Sequence, residues 1–102
     1  MIWMEDSEIK RFQHLMEELY GVRDKRRGIE KTLLWLLTEV GELMKAYLKG
    51  NTTEMKEEVA DIFAWLSSTC NLLEIDLAEV SWEKYPFNCP KCCNNPCNCP
   101  EL

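Results

Sequence analysis

A helical stripe constrains this chain more than any other feature. Between Ile29 and Lys49, apolar residues fall at Leu33, Leu36, Leu37, Val40, Leu43, Met44 and Tyr47. Steps of three and four return a residue to one face of an α-helix, whereas a half-buried strand alternates every second residue. The same spacing recurs at Ile9, Phe12, Met16 and Leu19, and again at Met55, Val59, Ile62, Phe63, Leu66 and Cys70. No strand-like alternation of useful length and no internal repeat occurs. The expected fold is all-α, an antiparallel bundle of about four helices.

Punctuation sets the expected boundaries. A first helix is predicted from about Asp6 to Tyr20, with Gly21 as its stop and "GVRDKRRG" as a short basic connection. A second runs from about Ile29 to Lys49 and stops at Gly50. Gly41 inside it costs about 1 kcal/mol relative to alanine, which close approach by a neighbouring helix or ligand would explain. Asn51 and Glu54 stand at capping-box spacing and open a third helix that continues to about Leu73. Asp76 and Glu79 repeat that signal for a shorter fourth helix, ended near Tyr85 by Pro86. From Asn88 the composition turns to Cys, Pro and Asn. The expected organisation is a helical domain over residues 1–86 and a short non-helical cysteine-rich tail over 87–102.

Carboxylates sit beside these stripes in an unusual way. Glu39 and Glu42 are three apart, as are Glu58 and Asp61. Residues three or four apart share a helix face, yet no Lys or Arg stands at such a position for Glu39, Glu58 or Asp61. Only Glu42 has one, Lys45. A solvated helix face would interleave opposite charges. Unpaired carboxylates are expensive to bury unless neutralised or bound to a metal. Two such helices packed antiparallel bring four acids together, a hard-oxygen set suited to Mg²⁺ or Mn²⁺. No histidine completes a Glu-x-x-His step, which disfavours a di-iron site. Solvated surface acids are the competing reading.

The totals exclude some classes. The 102 residues suit one domain, and 46% are hydrophobic, enough for a packed core. A net charge of −6 argues against binding polymeric nucleic acid or an anionic membrane. It leaves a nucleotide substrate open, because a bound cation inverts the local field. No run approaches the roughly 18 apolar residues of a membrane span. The opening "MIWMEDSEIK" turns acidic within five residues, unlike a signal peptide, so a cytoplasmic location is expected.

"EVGEL" at 39–43, "EEVADIFAWL" at 57–66 and "NLLEIDLAEV" at 71–80 together resemble the MazG-like family of all-α nucleoside triphosphate pyrophosphohydrolases. The resemblance covers roughly residues 29–80. Its pattern is E-x-x-E, a spacer and E-x-x-D, met here by Glu39, Glu42, Glu58 and Asp61. It implies cleavage of a nucleoside triphosphate between the α- and β-phosphates, with all four acids as Mg²⁺ (or Mn²⁺) ligands and one glutamate orienting the water. It also implies a homodimer or homotetramer, which short helices that cover little of their own apolar surface would fit.

This chain departs from the family at two places. Many relatives have an acid where it has Thr38, and many have a longer last helix with Lys and Asn residues reaching the phosphates. Here that helix ends at "WEKYP", leaving Lys84 as the expected remnant. Trp65, one turn after Asp61, is placed to stack on a nucleobase or to serve as a core aromatic. Lys49 is a further candidate for phosphate contact, with a solvated surface lysine as the alternative. The competing functional reading is a helical module that binds metal or nucleotide without turnover and recruits a partner through its tail.

Cys89-x-x-Cys92 followed by Cys97-x-Cys99 gathers four thiols within eleven residues. Without a signal peptide, metal ligation is expected before disulfides. Tetrahedral thiolate sites favour Zn²⁺ in a structural role, with Cys93 as the spare or as a substitute for Cys92. A redox-active or disordered tail and an iron–sulfur cluster are the alternatives. Cys70 reads as a core residue.

Overall fold

The computed structural model describes residues 7–101. Among these residues the chain forms four helices and no strand: α1 Glu8–Arg27, α2 Ile29–Lys49, α3 Thr52–Leu72 and α4 Leu77–Lys84. The cysteine-rich tail that follows is non-helical. Among the described residues no helix is long and apolar enough to cross a membrane.

The first helix departs from expectation. Asp6 lies outside the described residues; α1 begins at Glu8, where the Ser7 side chain accepts from the Lys10 N–H at 3.1 Å. The helix does not stop at Gly21 but runs on to Arg27, so "GVRDKRR" is helical rather than a connection. A Cβ on Gly21 would meet only Glu17 Cγ, at 3.4 Å, and its backbone needs no positive φ. The true stop is Gly28, at φ 88°. Lys25, Arg26 and Arg27 occupy the last turn, where cations complement the negative end of the helix dipole.

The remaining boundaries fall where the sequence places them, to within a residue. Gly50 adopts the left-handed conformation at φ 70°, and the Asn51 N–H reaches back to the Ala46 carbonyl at 3.0 Å. Asn51 then caps α3 by accepting from the Glu54 N–H at 3.0 Å. Asp76 caps α4 by accepting from the Glu79 N–H at 3.1 Å.

Helix α3 is the centre of the molecule, packed most extensively against α2 and next against α1, while α4 leans on α1. Gln13 joins three of these pieces. Its Nε2 donates to Asn71 Oδ1 at 2.9 Å and to the Ile75 carbonyl at 2.8 Å, and its Oε1 accepts from the Leu77 N–H at 3.0 Å. Asn71 returns a bond to the Gln13 carbonyl at 3.1 Å. Phe12 and Phe63 pack with ring centroids 5.0 Å apart across the α1–α3 contact.

The α2 stripe does not form the core of the single chain. Thr32 and Ala46 are buried and Leu36, Glu39 and Leu43 half-buried, which defines the face turned toward α3. Leu33, Leu34, Leu37, Val40, Met44, Tyr47 and Leu48 are exposed. A Cβ on Gly41 would meet nothing within 4 Å, so no close approach within the chain explains it. Cys70 is buried, as expected of a core residue, together with Met16, Ala46 and Ala78.

Candidate active site

The face of α2 that meets α3 reads Thr32, Leu36, Glu39, Leu43 and Ala46, and one carboxylate lies in its middle. Glu58 and Asp61 answer from α3. Ligand oxygens of Glu39, Glu58 and Asp61 all lie within 4.8 Å of one another. Glu42 stands outside this group and is exposed.

The electrostatics of the cluster are unfavourable as it stands. Burial raises the Glu39 carboxyl above its ordinary 4.5, and the charge of Glu58, a hydrogen bond to Glu58, and the charges of Asp61 and Glu42 add to it. Among the described residues no Lys or Arg forms an ion pair with Glu39, Glu58 or Asp61. Glu58 Oε2 is enclosed and has no hydrogen-bond partner. Buried polar atoms are nearly always satisfied, so an enclosed carboxylate oxygen without a donor fits a site built for a cation. Three oxygen donors with no nitrogen or sulfur suit Mg²⁺ or Mn²⁺.

Asp61 also borders a cavity of about 260 Å³ between α1 and α3. Trp65 and Tyr20 line it with aromatic surface, and Arg23 and Arg27 give it two cations. The Trp65 indole stacks on Trp35 at 5.8 Å and 12°, and the Arg27 guanidinium lies 4.7 Å from the Trp65 ring centre. Asp24 orients that guanidinium: it is 2% exposed and its Oδ1 accepts from Arg27 at 2.8 Å, while Arg27 also donates to Thr32 Oγ1 at 3.3 Å.

Tyr20, Arg23, Asp24 and Arg27 were not among the residues singled out by sequence. Their turn reads as a basic connection once Gly21 is taken as a helix stop. The acid–base step from Asp24 to Arg27 was the available clue, since it pairs only on a helix. Of the substrate-binding candidates, Trp65 lines the cavity. Lys49 and Lys84 do not. Lys49 pairs with Glu54 at 3.5 Å, and Lys84 lies 5.9 Å over the Tyr85 ring. Thr38, where many relatives have an acid, is exposed and bonds its hydroxyl to the Leu34 carbonyl at 2.9 Å.

A second cluster lies in the tail. Cys89, Cys92, Cys97 and Cys99 bring their sulfurs within 4.8 Å of one another, and Cys93 stays outside. Amide donors from Asn98 and Asn94 hold the Cys92 thiol down at about 6. Cys99 is pushed up to about 12 by hydrogen bonds to Cys97, Cys89 and Cys92. This is the behaviour of sulfurs crowded around one point, where the first lost proton makes the next harder to lose.

No curated protein matches the chain. The MazG nucleotide pyrophosphohydrolase domain does, over residues 27–93. That match spans α2, α3 and α4, reaches the first three cysteines of the tail and takes in well over half of the sequence. It includes all four acids and Trp65. With a seam of unpaired carboxylates opening on an aromatic, cationic cavity, the chain belongs to the MazG nucleotide pyrophosphohydrolase domain family.

Proposed function

We propose that the protein hydrolyses nucleoside triphosphates, ribo or deoxy, to the monophosphate and pyrophosphate with Mg²⁺ or Mn²⁺ as cofactor. One observation carries this reading: Asp61 belongs both to the acid cluster with the orphaned Glu58 oxygen and to the wall of the cavity. A metal-bound polyphosphate at the cluster would place its nucleoside against Trp65 and Tyr20.

Glu39, Glu58 and Asp61 would hold the cation, and Glu42, exposed and outside the cluster, would join them only by turning inward. Bound there, a divalent ion supplies charge to the phosphate oxygens and lowers the pKa of a water. Arg23 and Arg27 draw the polyphosphate into an otherwise acidic molecule. Asp24 keeps Arg27 in place, and the stacked Trp35–Trp65 pair gives the base a fixed apolar wall. One glutamate of the cluster is the proposed base that orients the attacking water. The water oxygen bonds to phosphorus as the α–β phosphoanhydride bond breaks. Its proton passes to that glutamate and pyrophosphate leaves.

The protein would act as a homodimer or homotetramer, for the exposed α2 stripe needs a cover and a second copy offers a matching one.

The test is pyrophosphate release from a panel of ribo- and deoxynucleoside triphosphates with Mg²⁺, Mn²⁺ or EDTA. Metal-dependent pyrophosphate and monophosphate are expected. Asp61→Ala should lower turnover by more than about 100-fold, the order lost with one transition-state charge contact, while helical circular dichroism persists. Undiminished activity in Asp61→Ala would refute the metal assignment. No turnover of any nucleotide would favour a binding module.

A further inference from the structure

The nucleotide reading uses the bundle and leaves the tail unexplained. The tail has no regular secondary structure. It meets α4 through Phe87, whose ring centre is 5.0 Å from that of Trp82. Asn95 donates to the Phe87 carbonyl at 2.8 Å. Fixing each residue of such a segment costs roughly 1–2 kcal/mol of conformational entropy, a cost that a metal bound within it would offset.

We propose that Cys89, Cys92, Cys97 and Cys99 bind one Zn²⁺ in a closed tetrahedral thiolate site that folds the tail and fastens it to α4.

The sulfur positions support this. Cys89 Sγ and Cys99 Sγ are 3.8 Å apart, and Cys92 Sγ and Cys97 Sγ are 3.9 Å apart. Zinc–sulfur bonds of about 2.3 Å in a tetrahedron set sulfurs about 3.8 Å from one another. A disulfide requires about 2.05 Å, and all four cysteines are free. A four-iron cluster binds each cysteine to a different iron and needs the sulfurs farther apart than the 4.8 Å that contains them all here.

The backbone is arranged around the same point. Cys93 adopts φ 61°, and its N–H donates to the Cys89 carbonyl at 2.7 Å, turning the chain back after Cys92. The Cys89 N–H donates to the Asn94 carbonyl at 3.0 Å and closes the loop. Amides also point at sulfur: Asn98 N–H to Cys92 Sγ at 3.3 Å and Cys99 N–H to Cys97 Sγ at 3.2 Å. Four thiolates on one dication carry excess negative charge, and backbone N–H donors are the partners that offset it. The turn that brings Cys92 inward sends Cys93 outward, which decides between these adjacent cysteines.

The two candidate metal sites differ in chemistry as well as in place. The acid cluster offers hard oxygens and the tail soft thiolates, so Zn²⁺ would partition to the tail and Mg²⁺ to the bundle. With four protein ligands the tail site has no open position, and its contribution is folding rather than catalysis.

The experiment uses the full chain. Metal content of the purified protein is measured by mass spectrometry, and the chelated protein is titrated with Co²⁺ and with Zn²⁺ in competition. Wild type, Cys97→Ser and Cys93→Ser are compared, each checked for helical circular dichroism. Trypsin cleavage after Lys91 reports on the fold of the tail. The expected results are one zinc per chain and the absorption of cobalt in a tetrahedral thiolate field. Cys97→Ser should weaken zinc binding by at least tenfold, with Cys93→Ser unchanged. Cleavage at Lys91 should be slow with zinc and fast after chelation. Iron in place of zinc, or equal loss in both variants, would overturn the site. Cleavage indifferent to zinc would overturn its role in folding the tail.

Discussion

Glu58 shows how one residue sets stability against function. Its Oε2 is enclosed without a partner, and its charge helps hold the Glu39 proton. Because the Glu39 pKa is raised, the folded chain binds that proton more tightly than the unfolded one. The metal-free protein should therefore lose stability as pH rises from 4.5 through the folded-state pKa of Glu39. Glu58→Gln removes one like charge at nearly constant volume. We expect it to raise the metal-free stability by about 1 kcal/mol at pH 7, a shift of roughly 4–8 °C in melting temperature, and to flatten the decline with pH. The same change should erase the stabilisation by Mg²⁺, which for a bound ligand at about 100 times its Kd is about 2.7 kcal/mol. Thermal melts from pH 4.5 to 8, with and without Mg²⁺, check both. A Glu58→Gln protein that melts lower without metal would mean that the acids support the fold rather than strain it.

Among the elements, α4 is the most dependent on its neighbours, being eight residues long. An isolated helix of that length does not persist in water, so its caps and its hold on α1 decide whether it forms. Asp76 accepts from Glu79 and pairs with Lys10 at 3.1 Å. Burial pushes the Asp76 carboxyl up, but the Glu79 and Ala78 amides and the Lys10 charge outweigh it and leave the carboxyl below its ordinary 3.8. The stabilisation is thus complete above 3.8 and is lost as pH falls through the lower folded-state value. Asp76→Ala should cost about 1 kcal/mol at pH 7, and the gap from wild type should close in acid. Denaturant melts at pH 7 and near pH 3 measure it; a gap independent of pH would show that the charge of Asp76 contributes nothing. Caps of this kind were legible in the sequence because Asn51–Glu54 and Asp76–Glu79 are local, three-residue signals. Gly50 was legible for the same reason. The end of α1 was not, because the sequence does not say whether a glycine takes a positive φ: Gly28 does and Gly21 does not. That difference hid the Asp24–Arg27 turn and with it half of the cavity. Gln13 was equally opaque, since its partners Asn71, Ile75 and Leu77 are brought to it only by the packing of α1 on α3. Three of the four acids meet as their spacing implied, while Glu42 turns outward because the seam takes only Leu36, Glu39 and Leu43 from that stretch of α2.

At the scale of the whole molecule, the single chain is packed openly. Its radius of gyration is 15.9 Å in a body of 41 × 38 × 24 Å, where a compact domain of about 100 residues has about 13 Å. Among the described residues the buried apolar ones are Met16, Ala46, Cys70 and Ala78, a small core. The missing burial is on α2: Leu37 is 67% exposed and Leu48 74%, with Leu34 and Met44 on the same row. Positions 34, 37, 41, 44 and 48 follow alternating steps of three and four, the seam by which one helix packs along another. Gly41 falls in the middle of that row, open within the chain and suited to close approach by a second copy. The face turned outward carries the apolar row and the face turned inward carries Glu39, so the assembly would clamp the α2–α3 seam from behind. A charge on the row should then act on both association and the acid site. Leu37→Lys should reduce the mass found by light scattering from that of an oligomer to that of one chain. It should also remove the rise of melting temperature with protein concentration that an associating wild type shows, and weaken Mg²⁺ binding at the acids although it touches none of them. A wild type that is a single chain at micromolar concentration, or a Leu37→Lys protein of unchanged mass, would show that the α2 row is not the surface on which copies meet.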